Sequence, residues 1–165
     1  MKFTKHKIYL SWDCVDSLCA TLADDLMTCP ETGLPRDNVH IVGIARGGLI
    51  PATILSHLTG FPMTPVYHSN RDADVSGVFP KHLNDMLLHG DTTVVFVDDI
   101  CDTGKTNLEL VDIVADIIDP FVFSEFRSQV AEFMCLVEKD ESEFSCDSAG
   151  LVMSDDRWIV FPWEV

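Results

Sequence analysis

Apolar residues recur at helical spacing over residues 11–28. Val15, Leu18, Cys19, Leu22 and Leu26 fall on one face, and Ser11 is placed to cap the helix. The pattern changes at 39–44, a short unbroken apolar run bounded by turn residues, as expected of a parallel strand buried on both faces. Gly47-Gly48 break it, and a second helix is expected over 49–58, with Pro51 in its first turn and Gly60 at its end. Residues 63–67 read as a strand that Pro65 confines to an edge or an irregular position. A β-branched strand is predicted at 92–97, a helix at 107–118, a strand at 132–137 and one more at 158–161. Strands alternating with helices predict an α/β fold with an open, mainly parallel sheet flanked by helices.

Two connections stand out. Residues 30–35 are turn chemistry built from Pro30, Gly33 and Pro35. Residues 68–91 are polar and weakly periodic, with room for a short helix near 82–88; a connection this long reads as a functional loop or lid. Neither an internal repeat nor a low-complexity tract is present, and 165 residues fit a single domain spanning 1–165.

Composition narrows the function. With 47% hydrophobic residues the chain can bury a full core, so neither disorder nor a disulfide-dependent scaffold is expected. Eleven basic against 27 acidic residues give a net charge of −16, a surface that repels nucleic-acid phosphate and anionic lipid. Neither a nucleic acid nor a membrane is an expected partner. The six cysteines are scattered without a C-x-x-C, and the apolar run Ile8-Tyr9-Leu10 is too short for a signal-peptide core, so reduced thiols in a cytoplasmic compartment are expected. The six histidines form no H-E-x-x-H or Cys/His zinc pattern, and a metal site built from protein ligands alone is not expected.

The chemistry concentrates at two strand ends, where open α/β sheets bind ligands. In Val94-Val95-Phe96-Val97-Asp98-Asp99-Ile100-Cys101-Asp102-Thr103-Gly104-Lys105-Thr106 an apolar strand runs into two adjacent carboxylates, a third, and then a small polar turn that opens a helix. Backbone N–H groups at such a helix start, with the Thr103 and Thr106 hydroxyls, make a cradle for phosphate. The carboxylates would repel that phosphate and therefore suit hydroxyls or a divalent cation. Gly104-Lys105-Thr106 also matches the end of a nucleotide-binding P-loop, but that motif needs glycine where Asp99 stands, so the P-loop is excluded.

Residues 94–106 resemble the phosphoribosyl-pyrophosphate (PRPP) motif of type I phosphoribosyltransferases. The segment Ile44-Ala45-Arg46-Gly47-Gly48-Leu49 resembles the pyrophosphate loop that follows the family's first sheet strand. Leu10-Ser11-Trp12-Asp13, and Trp158-Ile159-Val160-Phe161-Pro162-Trp163-Glu164 as W-I-x-x-P-W-[DE], are similar to the bacterial xanthine–guanine branch. Lys139 precedes Trp158 by nineteen residues, as the purine-contacting pair does in that branch. The 68–91 loop and residues 119–130 match least.

The resemblance implies Mg²⁺-dependent transfer of phosphoribosyl from PRPP to a 6-oxopurine in purine salvage, giving a nucleoside monophosphate and pyrophosphate. Asp98 and Asp99 would hold the ribose hydroxyls, with Asp99 also the metal ligand. Asp102 would be the catalytic group near purine N7, although an acid there also suits a helix cap. Asp102, Thr103, Gly104, Lys105 and Thr106 would hold the 5′-phosphate side of PRPP. Arg46 and Gly47 would hold pyrophosphate, where the family often carries a non-proline cis peptide. Lys139, Trp158 and Ile159 would bind the purine within a hood segment at about 139–165. Lys139 would donate to O6, Trp158 would stack on the ring, and the Ile159 carbonyl would face the 2-substituent. Trp163 is expected to be structural. The 68–91 loop would be the mobile lid, with Arg71 and Lys81 as candidate pyrophosphate contacts. A homodimer or homotetramer is implied. Two rivals stay open: a regulatory protein of the same fold that binds PRPP or a nucleotide, and a phosphoribosyltransferase for another base.

Overall fold

In the computed structural model, which describes residues 7–28, 36–67, 79–154 and 156–164, five strands form one wholly parallel sheet. They are β2 (Val39–Ala45), β3 (Met63–Tyr67), β4 (Thr93–Cys101), β5 (Ala131–Lys139) and β6 (Ser148–Met153), in the spatial order β3-β2-β4-β5-β6. β2 and β5 lie in the interior and are buried along almost their whole length, as the apolar runs at 41–44 and 133–137 favour. β3 takes an edge, the position that Pro65 allows.

Helices cover both faces. On one, α1 (Trp12–Met27) and α2 (Leu49–Thr59) close a core containing Val15, Leu22, Leu26, Ile41, Leu55, Val95 and Leu136. Ser11 caps α1 by accepting from the Cys14 N–H at 3.2 Å, and Gly60 ends α2 with φ 79°. On the other face α3 (Lys81–His89), α4 (Lys105–Ile117) and α5 (Pro120–Val130) pack over Leu83, Phe96, Leu110, Val114 and Phe133. The Phe96 and Phe133 rings stack there at 5.1 Å.

The structure departs from the sequence pattern in four places. β4 continues past Val97 to Cys101, because its ladder with β5 runs on through Asp98↔Cys135, Ile100↔Val137 and Cys101↔Glu138. α5 and β6 were not anticipated. A three-residue strand, β1 (Lys7–Tyr9), pairs in parallel with β7 (Trp158–Val160) to form a separate two-stranded sheet, followed by a 3₁₀ turn at Pro162–Glu164. Of the segment expected to be a lid, 68–78 and with it Arg71 lie outside the described residues, as does the turn at 30–35; residues 81–89 form α3. Among the described residues no helix is long and apolar enough to cross a membrane.

Candidate active site

β2 and β4 are neighbours, yet the chain leaves β2 towards β3 on one side while β5 lies beyond β4 on the other. Their carboxyl ends therefore flank a crevice at the point where the strand order reverses, the place where open parallel sheets bind ligands. Two loops meet there. After β2 the Ala45–Arg46 peptide is cis, followed by Gly47 and Gly48. After β4 come Asp102, Thr103 and Gly104.

The contact between them is close. A Cβ on Gly47 would lie 1.9 Å from Asp99 Oδ2, so glycine is the residue that lets the Asp99 carboxylate rest against the first loop. A Cβ on Gly48 would lie 2.3 Å from the Val97 carbonyl oxygen and 2.8 Å from Asp98 Cα, both backbone atoms. Asp98 Oδ1 accepts the Asp99 N–H at 2.9 Å. Burial pushes the Asp98 carboxyl well above the usual carboxylate range, and the Asp99 charge adds to it. Asp99 is also raised, chiefly by burial, with Glu164 contributing from the far side of the pocket.

Asp102 is exposed and lines the same pocket as Asp99. It does not cap α4: the cap position is Gly104, at φ 79°, with no side-chain hydrogen bond. Glycine is needed there twice over, for its left-handed backbone and because a Cβ would lie 2.6 Å from Phe144. The Thr103 carbonyl accepts from the Glu143 N–H at 3.1 Å, which pins the β5–β6 connection onto this loop. Lys105 is exposed with its Nζ 3.6 Å from Glu109, and Thr106 is half-buried at the helix start, where the first N–H groups have no helical carbonyl to meet. Arg46 is exposed at the mouth of the crevice.

The opposite wall comes from the end of β5 and from β7. Lys139 is only 6% exposed, and its Nζ donates to the Arg157 carbonyl at 2.8 Å. It is a held cation, not a solvated one. Trp158 is 54% exposed and lines the pocket, so core packing does not account for it, whereas its neighbour Ile159 is buried. Trp163 is structural, stacked on Phe161 at 4.7 Å and tilted against Trp12 at 5.8 Å. Asp99, Asp102, Lys139, Trp158 and Ile159 thus share one pocket, and Asp156, Arg157 and Glu164 join them without having been anticipated. Glu164 had a signal, since it closes the W-I-x-x-P-W-[DE] segment; its Oε2 accepts the Phe161 N–H at 2.9 Å. Asp156 and Arg157 carry none beyond standing next to Trp158. A larger cavity of about 580 Å³ opens at the amino ends of β5 and β6, between Asp24, Arg36 and Asp147, away from the crevice.

The phosphoribosyl transferase domain family matches residues 12–165. The chain is 30% identical over 164 residues to the xanthine–guanine phosphoribosyltransferase of Gluconobacter oxydans, covering 98% of this chain and 86% of the relative. It is 28% identical to the enzyme of the same name from Ruegeria sp., with 95% and 85% covered. Among solved structures, the purine phosphoribosyltransferase of Pyrococcus horikoshii superposes with a TM-score of 0.70 at 30% identity, over 96% of this chain and 94% of that one. These matches run through both strand-end loops and the β7 wall, and the chain belongs to the phosphoribosyltransferase family.

Proposed function

We propose that the chain transfers phosphoribosyl from PRPP to a 6-oxopurine in purine salvage. The observation that carries this reading is the single pocket in which Asp99 and Asp102 face Lys139, Trp158 and Ile159. It offers a sugar-phosphate side and a base side with the reacting carbon between them. The relatives named above support the substrate class.

On the sugar-phosphate side, the start of α4 with Thr103, Gly104, Lys105 and Thr106 would receive the 5′-phosphate through N–H groups and hydroxyls. Asp98 and Asp99 would orient the ribose hydroxyls, and Arg46 with Gly47 would hold the departing pyrophosphate. As the bond from the anomeric carbon to pyrophosphate breaks and the bond to the base nitrogen forms, the base loses a proton. Asp102, exposed in the pocket and not spent on capping, is the group to take it. Lys139, held by the Arg157 carbonyl, would donate to O6; an ammonium has no lone pair to accept from a 6-amino group. Trp158 would stack on the ring.

The donor set fits Mg²⁺: carboxylate oxygens at Asp99, which Gly47 leaves room for, suit a hard cation. Bound there, the ion would neutralise charge on the pyrophosphate. A lid over 68–91, a hood over 139–165, one domain over 1–165, a cytoplasmic location and a homodimer or homotetramer belong to the same reading.

The test is steady-state turnover with Mg²⁺ and PRPP against guanine, hypoxanthine, xanthine and adenine, beside Asp102→Asn and Lys139→Ala. Turnover of 6-oxo bases that collapses in both variants is expected. Activity with adenine alone sinks the Lys139 assignment. PRPP binding without turnover of any base transfers the argument to a regulatory PRPP-binding protein.

A further inference from the structure

Outside the lining of the pocket lies a group of side chains that the transfer reaction does not use. Sγ of Cys135, Sγ of Cys146 and a carboxylate oxygen of Glu138 lie within 4.8 Å of one another. Cys101, the last residue of β4 and the one before Asp102, pairs with Glu138 across the ladder and directs its Sγ to the Ser142 hydroxyl at 3.2 Å. We propose that Cys135, Glu138 and Cys146 form a three-ligand site for one thiophilic divalent cation of the zinc class.

Three observations support it. A zinc tetrahedron with Zn–S near 2.3 Å and Zn–O near 2.0 Å sets its ligand atoms roughly 3.5–3.8 Å apart, so closing this cluster needs about 1 Å of movement, within the reach of small side-chain rotations. Next, Glu138 is only 8% exposed, and its oxygens meet neutral donors, the Ser145 hydroxyl at 3.2 Å and the Cys146 N–H at 2.9 Å. Among the described residues it forms no ion pair with Lys, Arg or His; a buried carboxylate ordinarily has a cation. Finally, buried Asn107 donates from Nδ2 to Cys146 Sγ at 3.4 Å, the kind of N–H contact that orients and stabilises a metal-bound sulfur from the outer shell. Cys146 is half-buried, which leaves the cation a way in.

The fold supplies what the sequence spacing lacks. Cys135 and Glu138, three residues apart on a strand, would face opposite ways. Leu136 and Val137, however, both pack into the same core, so the alternation slips between them and the two ligands reach one face. Binding would exchange thiol protons for the cation. It would also brace the loop after β4, since Cys101, the ladder partner of Glu138, leads directly into Asp102 and Ser142 hydrogen-bonds Cys101 one residue before Glu143 reaches Thr103.

Cobalt(II) titration of the chelator-treated, reduced full chain tests the site without reading turnover, so its result is separate from that of the transfer reading. A saturating 1:1 rise of sulfur-to-cobalt charge-transfer absorption with tetrahedral visible bands, displaced by zinc, is expected. Glu138→Gln should weaken binding, Cys135→Ser combined with Cys146→Ser should remove the charge-transfer bands, and Cys14→Ser, at an exposed position of α1, should leave them intact. Cobalt held only at Asp99 would give weak oxygen-ligand bands without charge transfer and would overturn the proposal. So would wild-type protein lacking a 1:1 thiolate band, or bands that survive Cys135→Ser with Cys146→Ser.

Discussion

Replacing Gly47 by alanine separates catalysis from folding. The new Cβ would stand 1.9 Å from Asp99 Oδ2, 2.3 Å from Cγ and 2.7 Å from Oδ1, where ordinary contact begins near 3.4 Å. The carboxylate must therefore retreat by roughly 1.5 Å to restore van der Waals distance. All three clashing atoms belong to the end of one side chain, which can rotate away, so the cost to the fold is the modest one of overpacking, about 1–3 kcal/mol. The cost to chemistry is larger, because a displacement of about 1 Å in a positioning group already lowers rate roughly 100-fold, or about 2.7 kcal/mol in the barrier. Gly47→Ala should melt cooperatively within several degrees of the wild type, while kcat/KM for PRPP falls by about two orders of magnitude. The neighbouring Gly48→Ala supplies the contrast: its Cβ would meet backbone at Val97, Ile44 and Asp98, which cannot rotate aside, so stability falls first. A folded Gly47→Ala enzyme with kcat/KM within a factor of about three of wild type would refute the placement of Asp99 as the group that orients PRPP.

Trp158→Ala should raise KM for the base by the equivalent of about 1–3 kcal/mol of lost stacking while leaving KM for PRPP and the melting temperature nearly unchanged, since the ring is 54% exposed; an unchanged base KM would remove the stacking role. His40 is buried with Nε2 2.8 Å from Thr64 Oγ1, the hydroxyl that also meets His82 Nε2 at 3.0 Å. Burial, then the His82 charge, lowers the His40 pKa from its usual 6.5, so the unfolded chain takes up the proton first as pH falls. Its contribution to stability should be complete above about pH 6.5 and be lost as pH drops towards the folded-state pKa, and denaturant titrations of His40→Gln should show a flatter acid limb.

The part of the candidate site that follows β4 was readable because it is contiguous: strand, acids, glycine and hydroxyls occur at fixed offsets in residues 94–106. Lys139 and Trp158 lie far apart in sequence, and only their separation, set against a known family pattern, singled them out. Other parts had no periodic signal to read. Asp119, which accepts from the Phe121 and Val122 N–H groups, and Pro120 at the first turn do announce α5. But Phe121, Val122 and Phe123 are consecutive and do not trace a helical stripe. β6 carries Gly150 where a side chain would advertise a strand, because a Cβ there would lie 3.0 Å from the Leu136 carbonyl oxygen and 3.1 Å from Leu18. β1 is three residues long, and its partner lies at the far end of the chain. Asp156 and Arg157 enter the pocket through the fold alone.

That last pairing also sets an order of events during synthesis. β2 and β4, which carry the two strand-end loops, leave the ribosome well before β7. The wall bearing Trp158 and Ile159 can form only after β7 has emerged and found β1. A nascent chain halted between these stages would hold Asp99 and Asp102 with no wall opposite. Completion of the pocket therefore waits on β7, and depends on Lys7–Tyr9 having stayed free to receive it.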